Sequence, residues 1–192
     1  MVTTPLRADA ARNKEKILIA ARELFAEQGM DAPLDGLAKR AGVGPGTLYR
    51  HFPGREALVA ELLMAEMGDL EQEFVTLRQA AGLDALERLD RWAQVLQRWM
   101  TRYSGLPEPL RQALGEDFSA LTYGCDMVIG WTDEMVRDGK AAGVVNDFVT
   151  GREFYRATLG LAWVAAAAGA RPGAESENLY RLARAGWHGS VE

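Results

Sequence analysis

Little in this chain can hold a metal, a disulfide or a catalytic proton relay. Cys125 is its only cysteine. No intrachain disulfide can form, and such usage fits a reducing compartment, so a cytoplasmic protein is expected. The two histidines, His51 and His188, are far apart in sequence and with one cysteine make a poor zinc set. The Glu-x-x-His pairs of a di-iron bundle are missing. Long apolar runs are missing too. The most apolar stretch, residues 159–170, is mostly alanine and falls short of the roughly 20 residues that span a bilayer. Residues 1–13 are polar and carry arginines, without the apolar stretch of a secretory signal. Valine and isoleucine runs are scarce, and no alternating strand pattern of useful length appears. The expectation is a chain that is not an enzyme and has no metal, no cofactor and no membrane span.

Alanine, leucine, arginine and glutamate abound, which favours helix. Apolar residues recur at helical spacing over most of the chain. The pattern predicts helices over 13–28, from 33 to 41, over 45–51, 55–77, 84–103, 110–114, 116–140, 150–168 and 174–187. Residues 104–109, with two prolines and a glycine, read as a breaker. The fold class is therefore all-α with about nine helices: an N-terminal three-helix module at 8–54, and a larger helical domain at 55–192.

Charge divides the chain the same way. Net charge is −5, which alone argues against a polyanionic partner. Residues 1–60, however, hold 9 Lys+Arg against 7 Asp+Glu, while 61–192 hold 13 against 20. Within residues 36–55 there are four basic side chains, Lys39, Arg40, Arg50 and Arg55, and no acidic one.

That basic stretch lies in a helix–glycine turn–helix pattern at 33–52. Leu37, Ala38, Ala41, Val43, Leu48 and Phe52 occupy positions where two short helices must pack. Gly44, Pro45 and Gly46 are compact, so the second helix can approach a DNA groove closely. Thr47 offers a hydroxyl and a methyl, and Arg50 can pair with guanine or phosphate. Tyr49 and His51 can bond phosphate oxygens, and Arg55 opens the next helix where a phosphate can be gripped. Lys39 lies on the outer face of the preceding helix; a solvated face is the alternative there. Gly42-x-Gly44-x-Gly46 does not suit a nucleotide loop, because no strand precedes it and Thr47 holds the third glycine position.

The blocks Ile17-Leu18-x-x-Ala21-x-x-Leu24-Phe25-x-x-x-Gly29, Leu37-Ala38-x-x-Ala41-Gly42-Val43, Gly46-Thr47-Leu48-Tyr49-x-His51-Phe52 and Arg55-Glu56-x-Leu58 resemble the tetracycline-repressor (TetR) family of bacterial transcriptional regulators. The resemblance covers residues 12–65. It implies an all-α homodimer that binds double-stranded operator DNA at one end and a small-molecule effector at the other. It implies a base or phosphate contact for Thr47 and phosphate contacts for Tyr49 and His51. Arg55 stands where the family usually has a lysine that grips the DNA backbone. One departure is clear. Many members have Thr or Ser near the start of the second helix, where this chain has Pro33 and Leu34.

The larger domain is rich in aromatics. Trp92, Trp99 and Tyr103, then Phe118, Tyr123, Met127, Trp131 and Trp163, are the candidate lining of an apolar effector pocket. Taken singly, each also suits an ordinary core. Gly124 and Gly130 fall inside a predicted helix and are read as making room for that ligand. Ala157, Gly160, Ala165 and Ala168, with Leu179, Leu182, Ala183 and Trp187, suggest a four-helix dimer interface. The expected function is a repressor released from a palindromic operator by a small apolar or aromatic effector. The alternative is a helical small-molecule-binding protein without specific DNA binding.

Overall fold

A computed structural model describes residues 5–115, 119–167 and 174–189. Helix α1 (Pro5–Gln28) buries Ile17, Ala21, Leu24 and Phe25 on one face. After a turn at 29–33 comes a single 3-10 turn (Leu34–Gly36), then α2 (Leu37–Arg40) and α3 (Pro45–His51). The long α4 (Arg55–Gln79) follows, then α5 (Ala85–Met100), α6 (Pro107–Gly115), α7 (Thr122–Ala141), α8 (Gly151–Ala167) and α9 (Ala174–Trp187).

Four helix starts differ from the sequence expectation, the first being α1, which begins at Pro5 rather than 13. Pro33 stays extended, with ψ 131°, ahead of the 3-10 turn instead of inside the second helix. Gly36 ends that turn, and its poor helix propensity suits the tighter local winding. Residues 104–109 are only partly a breaker, since α6 begins at Pro107. Pro107 and Pro109 both fall in its first turn, where a missing N–H costs no intrahelical bond. Helix α7 begins at Thr122 rather than 116. Helix α5 starts as the sequence suggests. Asp84 Oδ1 accepts the Glu87 amide at 2.8 Å and Glu87 Oε2 accepts the Asp84 amide at 3.2 Å, a reciprocal cap.

One continuous apolar core runs from Ile17 to Trp187. In its centre Phe74 lies between two indoles, edge-on to Trp92 at 5.6 Å and stacked on Trp131 at 5.7 Å. Trp92 donates its indole N–H to Thr132 Oγ1 at 3.0 Å, and the Thr132 hydroxyl donates to the Val128 carbonyl at 2.7 Å. Gly124 and Gly130 do not open space for a ligand as expected. A side chain at Gly124 would stand 3.3 Å from Met67 Cε, so the glycine lets α7 approach α4. Gly130 is exposed. The C-terminal helix is tied down by polar bonds. Asp90 on α5 accepts the Tyr180 hydroxyl at 2.9 Å and the Arg184 guanidinium at 2.9 Å, and an isolated antiparallel bridge joins Val145 to His188.

Candidate nucleic-acid interface

The turn between α2 and α3 depends on Gly42. Its φ is +66°, in the left-handed region that side-chain-bearing residues avoid. That conformation lets the Gly42 amide reach the Lys39 carbonyl at 3.1 Å and the Val43 amide reach the Ala38 carbonyl at 3.0 Å, the paired bonds that close a helix C-terminus. The chain then leaves extended through Gly44, and Pro45 opens α3 with φ already suited to a helix.

Leu48 and Phe52 turn inward, 3% and 2% exposed, and seat α3 on α1 and α2. At 100° per residue this leaves Pro45, Tyr49, Gly46, Arg50 and Thr47 as one outward arc. Tyr49 is 50% exposed. Arg50 lies along that arc, its Nε donating to the Gly46 carbonyl at 3.0 Å and its Nη2 to Thr47 Oγ1 at 3.1 Å. The structure thus brings Gly46, Thr47 and Arg50 together, with Tyr49 beside them. His51 is half-buried, its ring 6.2 Å from that of Phe52. Lys39 is exposed and has no ion pair among the described residues. Its neighbour Arg40 is held by α1, with Nη1 on Glu27 Oε2 at 2.9 Å and Nε 3.5 Å from Glu23. The Arg40 guanidinium lowers the Glu27 carboxyl below its ordinary value.

Arg55 is placed differently from the sequence expectation. Its guanidinium faces the fold, with Nη1 donating to the Met30 carbonyl and Nη2 to the Ala32 carbonyl at 2.8 Å. The planar fork closes the turn between α1 and the helix pair.

Comparison with known proteins points one way. Residues 17–62 match the family model described as bacterial regulatory proteins, tetR family. A 68-residue segment is 38% identical to the uncharacterized HTH-type transcriptional regulator TtgW of Pseudomonas putida, covering 35% of this chain and 51% of that protein. A 62-residue segment is 36% identical to the HTH-type transcriptional regulator UidR of Escherichia coli, covering 32% of each. The match thus spans about half of one of these curated relatives and about a third of the other. Over nearly the whole length, a TetR transcriptional regulator of Streptomyces coelicolor is 29% identical, with TM-score 0.60 and coverage of 93% of this chain and 99% of that one. Residues 17–62 thus carry the tetR-family pattern. A further solved structure, the regulator FadR of Bacillus subtilis in complex with stearoyl-CoA, shares the fold at 21% identity and TM-score 0.63, covering 91% of this chain and 99% of that one.

In the rest of the chain, the aromatic residues expected to line one pocket are dispersed. Trp92 and Tyr103 are enclosed, with their polar atoms bonded inside the fold. Trp131 is half-buried against Phe74, and Met127 is half-buried. Tyr123 and Trp163 face solvent at 68% and 46% exposure. Phe118 lies outside the described residues. Trp99 is the exception that keeps an unanswered donor: it is 6% exposed and its Nε1 has no hydrogen-bond partner among the described residues. A separate cleft of about 260 Å³ opens between the two ends of the molecule, bounded by Met30, Asp31, Glu56, Val59, Pro109 and Gln112. No helix among the described residues is long and apolar enough to cross a membrane.

The sequence reading passed over Glu66. It is 3% exposed on α4, in register with Leu58, Leu62 and Leu70. A charged residue on an apolar helix face was the available signal.

Proposed function

We propose that this chain is a DNA-binding transcriptional regulator that acts as a homodimer and is released from a palindromic operator by a small apolar or aromatic effector. The observation that carries the reading is the outward arc of α3, where Gly46, Thr47, Tyr49 and Arg50 stand free of any acidic neighbour in residues 36–55 while Leu48 and Phe52 fix the helix from behind. A helix so presented fits the major groove, about 12 Å wide. The acidic remainder would be repelled by DNA and faces away from it.

Dimerisation is supported by an unpartnered stripe on α8. Ala157, Gly160, Trp163 and Val164 are exposed at helical spacing, and Leu179 and Leu182 on α9 are exposed as well. Two copies joined there form a four-helix contact and set two recognition helices on one DNA face. For the effector, Trp99 supports a pocket within the larger domain, since its indole N–H could donate to a ligand carbonyl or ether oxygen.

The test is fluorescence anisotropy with duplexes from the DNA upstream of the chain's own gene. Tyr49→Ala and Arg50→Ala should each weaken binding by roughly tenfold, as loss of one good phosphate or base contact does. Unchanged affinity in both variants would favour the helical small-molecule-binding protein instead.

A further inference from the structure

The DNA-reading end is joined to the rest of the molecule at more than the covalent link near residue 54. Glu66 on α4 receives three donors. Arg22 Nε, on α1, donates to Oε1 at 2.9 Å. The Tyr103 hydroxyl shares that oxygen at 2.6 Å, and Arg102 Nη1 donates to Oε2 at 2.9 Å. Arg22 belongs to the DNA-reading end; Arg102 and Tyr103 belong to the loop after α5. The carboxylate is therefore a node between the two ends, dry enough that its bonds are directional and strong.

The same loop makes further contacts with α1 and the turn that follows it. The Tyr103 ring meets Phe25 edge-on at 6.5 Å. The Ser104 carbonyl accepts the Met30 amide at 2.7 Å. Gly29, with φ +80°, lies so close that an added side chain would stand 3.0 Å from that carbonyl. Apolar packing alone lets one body roll on another. Charged hydrogen bonds from two sides of a buried carboxylate fix the angle.

We propose that the Glu66 node sets the angle of the DNA-reading end on the larger domain, making Arg22, Glu66, Arg102 and Tyr103 positioning residues that select the separation of operator half-sites. The proposal rests on the dimeric DNA-binding reading. One added base pair moves a half-site by about 3.4 Å and rotates it by about 35°, so a fixed angle accepts one spacing and rejects its neighbours.

Arg22→Gln is the informative variant. The Arg22 side chain is 51% exposed, so its charge can go without leaving a cavity, and Glu66 keeps Arg102 and Tyr103. Tyr103→Phe removes a different bond of the node and keeps the ring against Phe25. Arg98→Gln, on the exposed side of α5, makes the same charge change outside it.

The experiment is selection from a duplex library of inverted repeats whose spacers differ by single base pairs, read alongside affinity for a single half-site and the melting temperature. The wild type should favour one spacing. Arg22→Gln and Tyr103→Phe should each reduce that preference by roughly threefold to tenfold, the range for a charge-assisted bond discounted for solvent. Half-site affinity should stay unchanged, and Arg98→Gln should behave as wild type. An undiminished preference in both node variants overturns the proposal. So does an equal loss at every spacing that tracks a fall in melting temperature, because a merely structural role gives that result. A wild type that enriches no inverted repeat at all overturns the regulator reading itself, and the proposal with it.

Discussion

At Gly42 the left-handed backbone decides how α3 leaves α2. A side chain there would meet no atom within 4 Å, so the whole cost of substitution is conformational. Gly42→Ala should lower stability by about 1–2 kcal/mol, the price of a left-handed alanine. A urea midpoint that stays put or rises would contradict this. Tyrosines report a second residue-scale effect. Burial, aided by neighbouring acidic groups, raises the phenol of Tyr103 beside Glu66, of Tyr155 beside Cys125 and of Tyr180 beside Asp90. A folded-state value above the unfolded one means that the folded protein holds these protons more tightly. Their contribution is complete below the ordinary tyrosine value of about 10 and is lost as pH rises beyond it. Denaturant midpoints should therefore fall between about pH 9.5 and 11. A midpoint that holds steady across that range, or climbs, would refute the assignment.

Among elements, α8 and α9 carry the clearest unfinished surface. Trp163 and Leu182 are 46% and 74% exposed. Placing a charge on both, as Trp163→Glu with Leu182→Glu, should convert a dimer to a monomer in analytical ultracentrifugation with the far-ultraviolet helix signal retained. A double variant that sediments as the wild type does would place the interface elsewhere. Element boundaries also show what the sequence could and could not reveal. Helix α3 was legible because Gly44-Pro45 and Pro53-Gly54 punctuate both ends. Helix α6 was read too short because Pro107 and Pro109 look like breakers, and only position within a first turn makes them harmless. The start of the second helix was misread because Gly36 admits the 3-10 turn.

For the whole molecule, the all-α class and the order of helices followed from local periodicity. What stayed hidden was every relation between distant segments. Arg55 looks basic and available in the sequence, yet its donors meet carbonyls 23 and 25 residues upstream. Glu66 gathers donors from 44 residues before it and from 36 and 37 residues after it, which no spacing rule encodes. Trp92 and Tyr123 look alike as aromatic candidates, and only tertiary packing separates a fully enclosed ring from one 68% exposed. Charge segregation, by contrast, is a whole-chain property visible directly in the sequence.

Everything above turns on whether α3 reads a specific sequence. The most direct test is the ratio of affinities for the selected operator and for a scrambled duplex of equal length, measured across salt concentrations. Operator binding should be at least ~10³-fold tighter than binding to scrambled DNA at physiological salt, with log affinity falling linearly against log salt for both. Equal affinity for the two duplexes would contradict it.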